Sequence, residues 1–269
     1  MTEFALNSEV SNKIYDAVKD VLIGNGEVFH FDEISSTNSA AIFYAENGAA
    51  EGTVIISDEQ KSGKGQYDRS WHSIKNSGLY ISIILRPLIA VEYLTLFSFL
   101  GALSCAKMIQ SLIHLKPEIK WPNDVLLNNK KISGILVESS FQNNAFDYII
   151  LGIGININHQ KVDFPLDLQK SATSLFIETG KYHYQLMVLK ELLKNLHDFY
   201  LHFIKKKFVF IREQWSQYSN IINKQVLIIK DGNEMKAQIL KINEFGHLIA
   251  LDENNNEISI LSSEQIRFQ

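Results

Sequence analysis

The sequence has few of the residues on which several protein classes depend. Its 269 residues include a single cysteine, Cys105, and only four prolines. One cysteine excludes an intramolecular disulfide framework and any zinc cluster built from cysteine ligands. Hydrophobic residues make up 46% and charged residues 21% of the chain, which is typical of globular proteins and excludes disordered and fibrous classes. The chain is also long enough to bury a large core without covalent cross-links.

An excess of positive charge is also absent. Lys and Arg number 26 against 30 Asp and Glu, so the formal net charge is −4. General binding to DNA needs clustered basic residues, and we therefore expect none. Residues 1–24 include Glu3 and Glu9 and lack the order of a secretory signal. The apolar stretch 94–113 contains Lys107, which is costly inside a bilayer, so we expect a buried helix and a cytoplasmic protein without membrane contact.

Several common catalytic signatures are missing. The sequence has no Gly-x4-Gly-Lys-Ser/Thr phosphate loop, no His-Glu-x2-His metal helix and no Gly-x-Ser-x-Gly nucleophile elbow. Gly152-Ile153-Gly154 begins like a dinucleotide-binding fingerprint, but Ile157 occupies the last glycine position and the segment has the pattern of a strand. Cys105 lies in an apolar helical stretch, which favours a packed core thiol over a nucleophile.

The residue pattern predicts a mixed arrangement of helices and strands followed by short strands alone. Helices are expected over 8–22, 37–47, 94–113 and 186–203. Strands are expected over 27–31, 53–57, 79–85, 119–127, 131–139 and 147–157, with 119–127 and 131–139 forming one hairpin across 128–130. After about residue 223, five short β-type runs broken by turns predict a small barrel. The predicted class is therefore α+β, with a main domain over 1–222 and a barrel over 223–269.

Polar residues and glycines also cluster at places that simple packing does not explain. The first cluster is Ser35-Ser36-Thr37-Asn38, at the start of a predicted helix. A helix N-cap is one interpretation of this cluster. The other is that its hydroxyl and amide groups bind a neutral polar group of a ligand.

The second cluster is the polar loop over residues 59–70. Lys61, Lys64 and Arg69, with Gly63 and Gly65 between them, can wrap an anion with backbone N–H groups and side-chain charge. Trp71 at the end of the loop offers a stacking surface for a base. A solvated, mobile loop is the alternative, but a loop of this length is unusual in a compact domain and indicates function.

Two further clusters interrupt predicted strands. In Lys-Trp-Pro-Asn-Asp at 120–124 the proline removes a backbone N–H at a strand edge, and the polar residues lie where the chain turns. An ordinary turn is the alternative. In the segments 131–138 and 152–158, glycines inside apolar strands indicate close approach by a ligand. Together the clusters favour an enzyme that joins a nucleotide to a small, partly apolar ligand.

These clusters, in this order, resemble the motifs of biotin–protein ligases. The family pattern is Ser-Thr-Asn, a Gly-Arg-Gly-Arg-type loop ending in Trp, Lys-Trp-Pro-Asn-Asp, Lys-x-x-Gly-Ile-Leu-Val-Glu, and Gly-x-Gly-x-Asn. The corresponding segments of this chain are 36–38, 63–71, 120–124, 131–138 and 152–156. The resemblance covers about residues 28–218. It implies a mixed sheet flanked by helices, as in class II aminoacyl-tRNA synthetases, and an SH3-like C-terminal barrel.

The resemblance implies a ligase reaction in two steps. Biotin and ATP first give biotinyl-5′-AMP and pyrophosphate, while Mg²⁺ and fixed cations stabilise the charge on the α-phosphate. A lysine of the biotin carboxyl carrier protein of acetyl-CoA carboxylase, or of a similar carrier, then attacks the adenylate and forms an amide. A homodimer through an exposed sheet edge is a further expectation. Some family members carry an N-terminal DNA-binding domain, for which we expect no room before residue 36.

Roles follow from the resemblance by matched position. Biotin would contact Ser36, Thr37, Asn38, Gln60, Gly134, Leu136, Gly152 and Gly154. The nucleotide would contact Gly63, Lys64, Gly65, Gln66, Trp71, Asn123 and Lys131. The catalytic residues would be Lys131, Lys64, Lys120 and Asp124. The metal ligands stay unassigned.

The loop departs from the family pattern at three positions. Lys64 and Gln66 stand where arginines are usual, and Asp68 stands where glycine is common. Lysine lacks the bidentate fork of arginine and glutamine has no charge, so we expect weaker retention of the adenylate. Two alternatives stay open. One is a lipoate–protein ligase, whose Arg-Arg-x-Ser-Gly-Gly-Gly segment is absent here; the other is a non-catalytic sensor of biotin or nucleotide, against which Lys131 and Asp124 argue.

Overall fold

The computed structural model describes residues 5–67, 69–143, 145–230, 233–261 and 265–268, so Asp68 lies outside the described residues. Its α-helices are α1 Ser8–Val18, α2 Thr37–Glu46, α3 Thr95–Ile113, α4 Leu175–Thr179, α5 Gln185–Ile204 and α6 Phe208–Ser216. The first seven strands are β1 Val28–Phe31, β2 Val54–Ser57, β3 Gly78–Leu85, β4 Glu118–Lys120, β5 Asp124–Leu127, β6 Lys130–Gln142 and β7 Ala145–Asn156. The last five are β8 Gln225–Lys230, β9 Asn233–Ile242, β10 Leu248–Asp252, β11 Glu257–Ile260 and β12 Gln265–Phe268.

The first seven strands form one mixed sheet with helices on both faces. Its strand order is β1-β2-β3-β7-β6-β5-β4. β1 and β2 are parallel, and the other neighbours are antiparallel. Because successive residues of a strand point to opposite faces, Ile55 and Ile84 pack in the cluster with α2, whereas Val54 and Ile83 pack in the cluster with α3. The predicted α+β class with a mixed sheet is confirmed.

The apolar stretch forms the core helix α3. Among the described residues, Val91–Ile113 is the one helix long and apolar enough to cross a membrane, and 72% of its most apolar window is buried inside the structure. Gly101 on this helix allows close packing, since a Cβ there would lie 3.0 Å from two side-chain carbons of Ile135 on β6. Cys105 is fully buried, and burial raises the pKa of its thiol to about 12. The expected core thiol is therefore confirmed.

The strand predicted directly before the turn at 128–130 is in fact two strands, β4 and β5. The chain reverses between them at Trp121 and Pro122, whose peptide bond is cis. Because proline fixes φ and lacks an N–H, the strand cannot continue through it. Lys120 and Asp124 become paired residues across this turn. They lie on β4 and β5 at the edge of the sheet, and the prediction of one continuous strand was wrong.

The five predicted C-terminal strands form an antiparallel sheet with the order β11-β10-β9-β8-β12. Val226 and Ala250 of this sheet belong to the same buried hydrophobic cluster as Phe99 on α3. The indole N–H of Trp121 donates to the Gly246 carbonyl at 3.0 Å. The second sheet therefore packs directly against the core helix and against the turn that carries the Lys-Trp-Pro-Asn-Asp motif.

Candidate active site

A cavity lies between the N-terminus of α2, strands β6 and β7, and the polar loop. All of the residues assigned to biotin from the sequence line it: Ser36, Thr37, Asn38, Gln60, Gly134, Leu136, Gly152 and Gly154. We call it the first cavity. Residues far apart in the sequence therefore meet around one space that can hold a small ligand.

A second cavity adjoins the first. Lys120, Asp124 and Arg69 line the second cavity and not the first. The residues that line both cavities are Gly65, Gln66, Trp71, Asn123 and Lys131. Three cationic side chains thus border the second cavity, which suits an anionic ligand, and the shared residues lie where two ligands would meet.

Lys131 is held at this boundary by its backbone and by its side chain. Its Nζ lies 2.6 Å from Asp124 Oδ1 and 5.4 Å from the centre of the Trp71 ring. Its N–H donates to the Ser171 carbonyl at 2.7 Å, and its carbonyl accepts from the Thr173 N–H at 2.9 Å. The segment around Ser171 and Thr173 therefore fixes the position of Lys131, a role that the sequence did not indicate.

The indole of Trp71 lies against two strand glycines. Gly134 and Gly154 are partners across β6 and β7. A Cβ on Gly154 would lie 2.5 Å from Trp71 Cε2, and one on Gly134 would lie 2.8 Å from Cζ3. No side chain fits at these two positions while the indole occupies its place. Trp71 Nε1 is buried and has no hydrogen-bond partner among the described residues.

A chain of polar side chains follows the wall of the first cavity. Gln60 Oε1 accepts from the Thr37 N–H at 2.7 Å and from Thr37 Oγ1 at 3.1 Å. Ser82 Oγ, which is fully buried, lies 2.8 Å from Thr37 Oγ1 and 2.6 Å from Asn38 Oδ1. Ser36 caps α2 as predicted, since its Oγ accepts from the backbone N–H of residue 39 at 3.5 Å. The cap and the cavity wall are thus built from the same residues.

The chain of polar groups continues from Asn38 to the loop. Asn38 Nδ2 donates to Glu138 Oε2 at 2.7 Å, and Lys64 Nζ lies 3.7 Å from Glu138 Oε1. A Cβ on Gly152 would lie 2.1 Å from Asn38 Oδ1, so the asparagine lies directly on the sheet. Glu138 therefore connects the two sides of the first cavity.

The polar loop folds back on itself as a small hairpin. The Gly65 N–H donates to the Arg69 carbonyl at 2.7 Å, and the Trp71 N–H donates to the Gly63 carbonyl at 2.8 Å. Lys64, Gly65 and Gln66 line the cavities, whereas Gly63 lines neither. A Cβ on Gly63 would lie 2.8 Å from the Trp71 carbonyl oxygen, so this glycine permits the close pairing of the two arms.

Sequence reasoning assigned no role to Ser82, and it named Arg69 only as a cation of the loop and Asn156 only as part of the Gly-x-Gly-x-Asn motif. A serine inside the apolar β3 pattern was the available signal for Ser82. Arg69 lines the second cavity, and its guanidinium carbon lies 5.7 Å from the centre of the Tyr67 ring. Asn156 Nδ2 donates to the Thr173 carbonyl at 3.0 Å, which secures the segment that holds Lys131.

The second cavity also contains the kind of ligand that Mg²⁺ prefers. Asp124 is the one acidic side chain among the described residues that line it. Mg²⁺ is usually bound by one or two carboxylates together with substrate phosphates, so Asp124 would hold such an ion. The one described cluster of three possible metal ligands is His30, Asp32 and Asp58, and it lines neither cavity.

Comparison with known proteins identifies relatives of this chain. Residues 30–156 match the Biotin/lipoate A/B protein ligase family. The chain is 32% identical over 242 residues to the bifunctional ligase/repressor BirA of Bacillus subtilis, which covers 90% of this chain and 71% of that protein. It is 29% identical over 168 residues to the biotin--[acetyl-CoA-carboxylase] ligase of Mycobacterium tuberculosis, covering 59% of this chain and 60% of that protein.

The fold is shared as well. The structure of the biotin protein ligase from Aquifex aeolicus in complex with biotin and ATP matches with a TM-score of 0.76 and 25% identity, over 90% of this chain and 99% of that chain. Every residue assigned to the site from the sequence lies within the matched segment 30–156. The sequence match over 90% of this chain and the shared fold lead to one assignment: this chain belongs to the biotin–protein ligase family.

Proposed function

We propose that the chain is an ATP-dependent biotin–protein ligase that makes biotinyl-5′-AMP and transfers biotin to a lysine of a biotin carboxyl carrier protein. The observation that carries this proposal is the pair of adjoining cavities that share Lys131, Trp71 and Asn123. Such a reaction needs two substrates to meet end to end. Family membership gives the reaction class, and the shared boundary supports our proposal that the carboxylate and the phosphate meet there.

The first cavity suits biotin because it combines a flat apolar floor with fixed polar groups. The cross-strand pair Gly134 and Gly154 makes a floor without side chains, and a planar ring system would take the place over it that the indole of Trp71 now occupies. Gln60 and Thr37 are already held by mutual hydrogen bonds, so they are preorganised to contact a ureido group. Leu136 supplies an apolar wall.

In the first step an oxygen of the biotin carboxylate attacks the α-phosphorus, and pyrophosphate leaves with the electron pair of the broken P–O bond. Negative charge increases at the α-phosphate in the transition state. Lys131 Nζ lies at the boundary of the cavities and would stabilise this charge, with Lys64, Lys120 and Arg69 nearby. Mg²⁺, when bound, neutralises phosphate charge. Trp71 would stack on the adenine, and Asn123 would contact the nucleotide.

In the second step the uncharged amine of the carrier lysine attacks the carbonyl carbon of the adenylate. The C–N bond forms, the bond between that carbon and the phosphate oxygen breaks, and AMP leaves. The nitrogen must lose a proton as the amide forms. We propose that Asp124 accepts it, because its carboxylate is the one acidic group among the described residues that line the second cavity.

The test is biotin-dependent exchange of radioactive pyrophosphate into ATP by the purified full chain. Exchange with biotin and none with lipoate is the expected result. Exchange with lipoate alone would instead identify a lipoate ligase, and no exchange with either acid would identify a sensor. Labelled biotin appearing on a purified carrier domain, but not on its Lys→Arg variant, tests the second step.

The finer description of the molecule is also proposed. The five-stranded antiparallel sheet supports an SH3-like barrel, and the mixed sheet supports a class II synthetase-like domain over 1–222 followed by a second domain over 223–269. We also propose a cytoplasmic location, and the net charge of −4 supports the absence of specific DNA binding. Mobility-shift assays at physiological salt test the latter, and sedimentation with and without biotinyl-5′-AMP tests for a homodimer.

A further inference from the structure

Glu138 lies behind the wall of the first cavity and contacts two residues that form this wall. Asn38 Nδ2 donates to Oε2 at 2.7 Å, and Lys64 Nζ lies 3.7 Å from Oε1. Both partners line the first cavity, whereas Glu138 lines neither cavity. We infer that Glu138 is a positioning residue, which fixes Asn38 against bound biotin and holds the loop closed through Lys64 so that the adenylate is retained. This inference rests on the proposed function.

The contact between Glu138 and Asn38 fixes the orientation of the Asn38 side-chain amide. Asn38 is buried, and its Oδ1 receives a contact from Ser82 Oγ at 2.6 Å. Its Nδ2 therefore has to find an acceptor on the other side, and Glu138 supplies it. A buried amide with both ends bonded has one favourable orientation. The asparagine therefore presents one face to the cavity, which suits recognition of a small polar ring.

The ion pair between Glu138 and Lys64 acts on the polar loop as a whole. Lys64 and Trp71 belong to the same small hairpin, whose arms are joined by the hydrogen bond from the Trp71 N–H to the Gly63 carbonyl. Keeping Lys64 at Glu138 therefore also limits how far Trp71 can move from the boundary of the two cavities. The side chains of this ion pair are 46% and 31% exposed. The pair therefore raises the ratio of closed to open loop by only about two- to fivefold. A phosphate can displace it.

A second loop lysine provides a matched control. Lys61 Nζ lies 2.6 Å from Glu33 Oε1, and neither of these residues lines a cavity. Both ion pairs join a loop lysine to a glutamate of the body of the protein. Glu33→Gln and Glu138→Gln therefore remove the same charge from the same kind of contact, and only one of them acts on the cavity wall.

The experiment measures release of biotinyl-5′-AMP and biotin-dependent pyrophosphate exchange in these variants. Glu138→Gln should accelerate release and raise the KM for biotin by about two- to fivefold, with the kcat of exchange unchanged, because the amide oxygen still accepts from Asn38. Glu138→Ala removes both contacts and should raise the KM further. Glu33→Gln should resemble the unmodified protein. The double variant Lys64→Met, Glu138→Gln should release the adenylate no faster than Lys64→Met alone, because the ion pair is already absent in the single variant.

Tryptophan fluorescence gives a readout that does not depend on activity. Trp121 and Trp215 are 2% and 0% exposed, so acrylamide quenching of the ligand-free protein reports chiefly on Trp71. Glu138→Gln should increase this quenching, and Glu33→Gln should not. Equal release and equal quenching in Glu138→Gln and the unmodified protein would overturn the inference, as would equal effects of the two Glu→Gln variants. Absence of biotin-dependent exchange in the unmodified protein would refute the proposed function instead, and the quenching comparison would still test Glu138.

Discussion

Lys131 Nζ and Asp124 Oδ1 lie 2.6 Å apart at the boundary between the two cavities. A β-bulge makes this contact. Val125 pairs with Ser133, but Leu126 pairs with Lys131, so one residue of β6 is extra. Since side chains alternate along a regular strand, the extra residue turns Lys131 to the face of Gly134 and the cavities. Bulges commonly redirect a side chain beside an active site in this way.

Replacing Lys131 by alanine should slow biotin-dependent pyrophosphate exchange by about 10²–10³, which is typical for loss of one transition-state contact. Biotin binding, measured by calorimetry, should fall much less because the first cavity keeps its polar wall. Lys130→Ala is the matched control, since Lys130 lines neither cavity. Exchange at a near-normal rate in Lys131→Ala would show that its assigned role is wrong.

The double variant Lys64→Arg, Gln66→Arg should release less biotinyl-5′-AMP into solution than the unmodified protein. Lys64 and Gln66 both line the first cavity. Arginine would add a bidentate contact at position 64 and a positive charge at position 66. Rapid filtration of enzyme loaded with labelled biotin measures the free adenylate. Equal leakage from the two proteins would contradict this prediction.

The loop around Lys64 and Gly65 should exchange its amide hydrogens quickly in the ligand-free protein and slowly when biotin and a non-hydrolysable ATP analogue are bound. Few buried contacts hold these residues, and closure over the adenylate would shield it from water. Hydrogen exchange followed by mass spectrometry measures the difference, with the α3 core as an internal reference. Loop amides already fully protected without ligand would refute the idea.

Stability should decrease at acid pH through His159. This residue is fully buried, and burial lowers the pKa of its imidazole to about 4, with the nearby His72 adding to the effect. Between about pH 6.5 and pH 4 the unfolded chain therefore binds the proton that the folded chain excludes. The free energy of unfolding should fall as pH falls through this window, by about 2 kcal/mol at ~pH 5.

Urea unfolding at ~pH 8 and ~pH 5 tests this statement. The variant His159→Phe has no group that titrates there, so the part of the pH dependence due to His159 should disappear. His72→Phe should retain most of it. An unchanged slope in His159→Phe would show that other groups cause the acid sensitivity.

Local sequence features determined much of the molecule. The cap at Ser36, the turn residues before and after β5, and the apolar stretch of α3 each act over a few neighbouring residues, so their patterns can be read directly from the sequence. The same holds for the five short C-terminal strands. The motif residues assigned to biotin were also found together, because a resemblance carries information on a site that periodicity lacks.

Tertiary structure alone decided how these residues work together. Ser82 reaches Asn38 across 44 positions of the chain, and Asn38 reaches Glu138 across 100. The bulge in β6 and the hydrogen bonds between Lys131 and the segment of Ser171 arise in the same way. Hydrogen bonds between distant side chains depend on how strands pair and in which register, and these are properties of the folded chain rather than of any local run of residues.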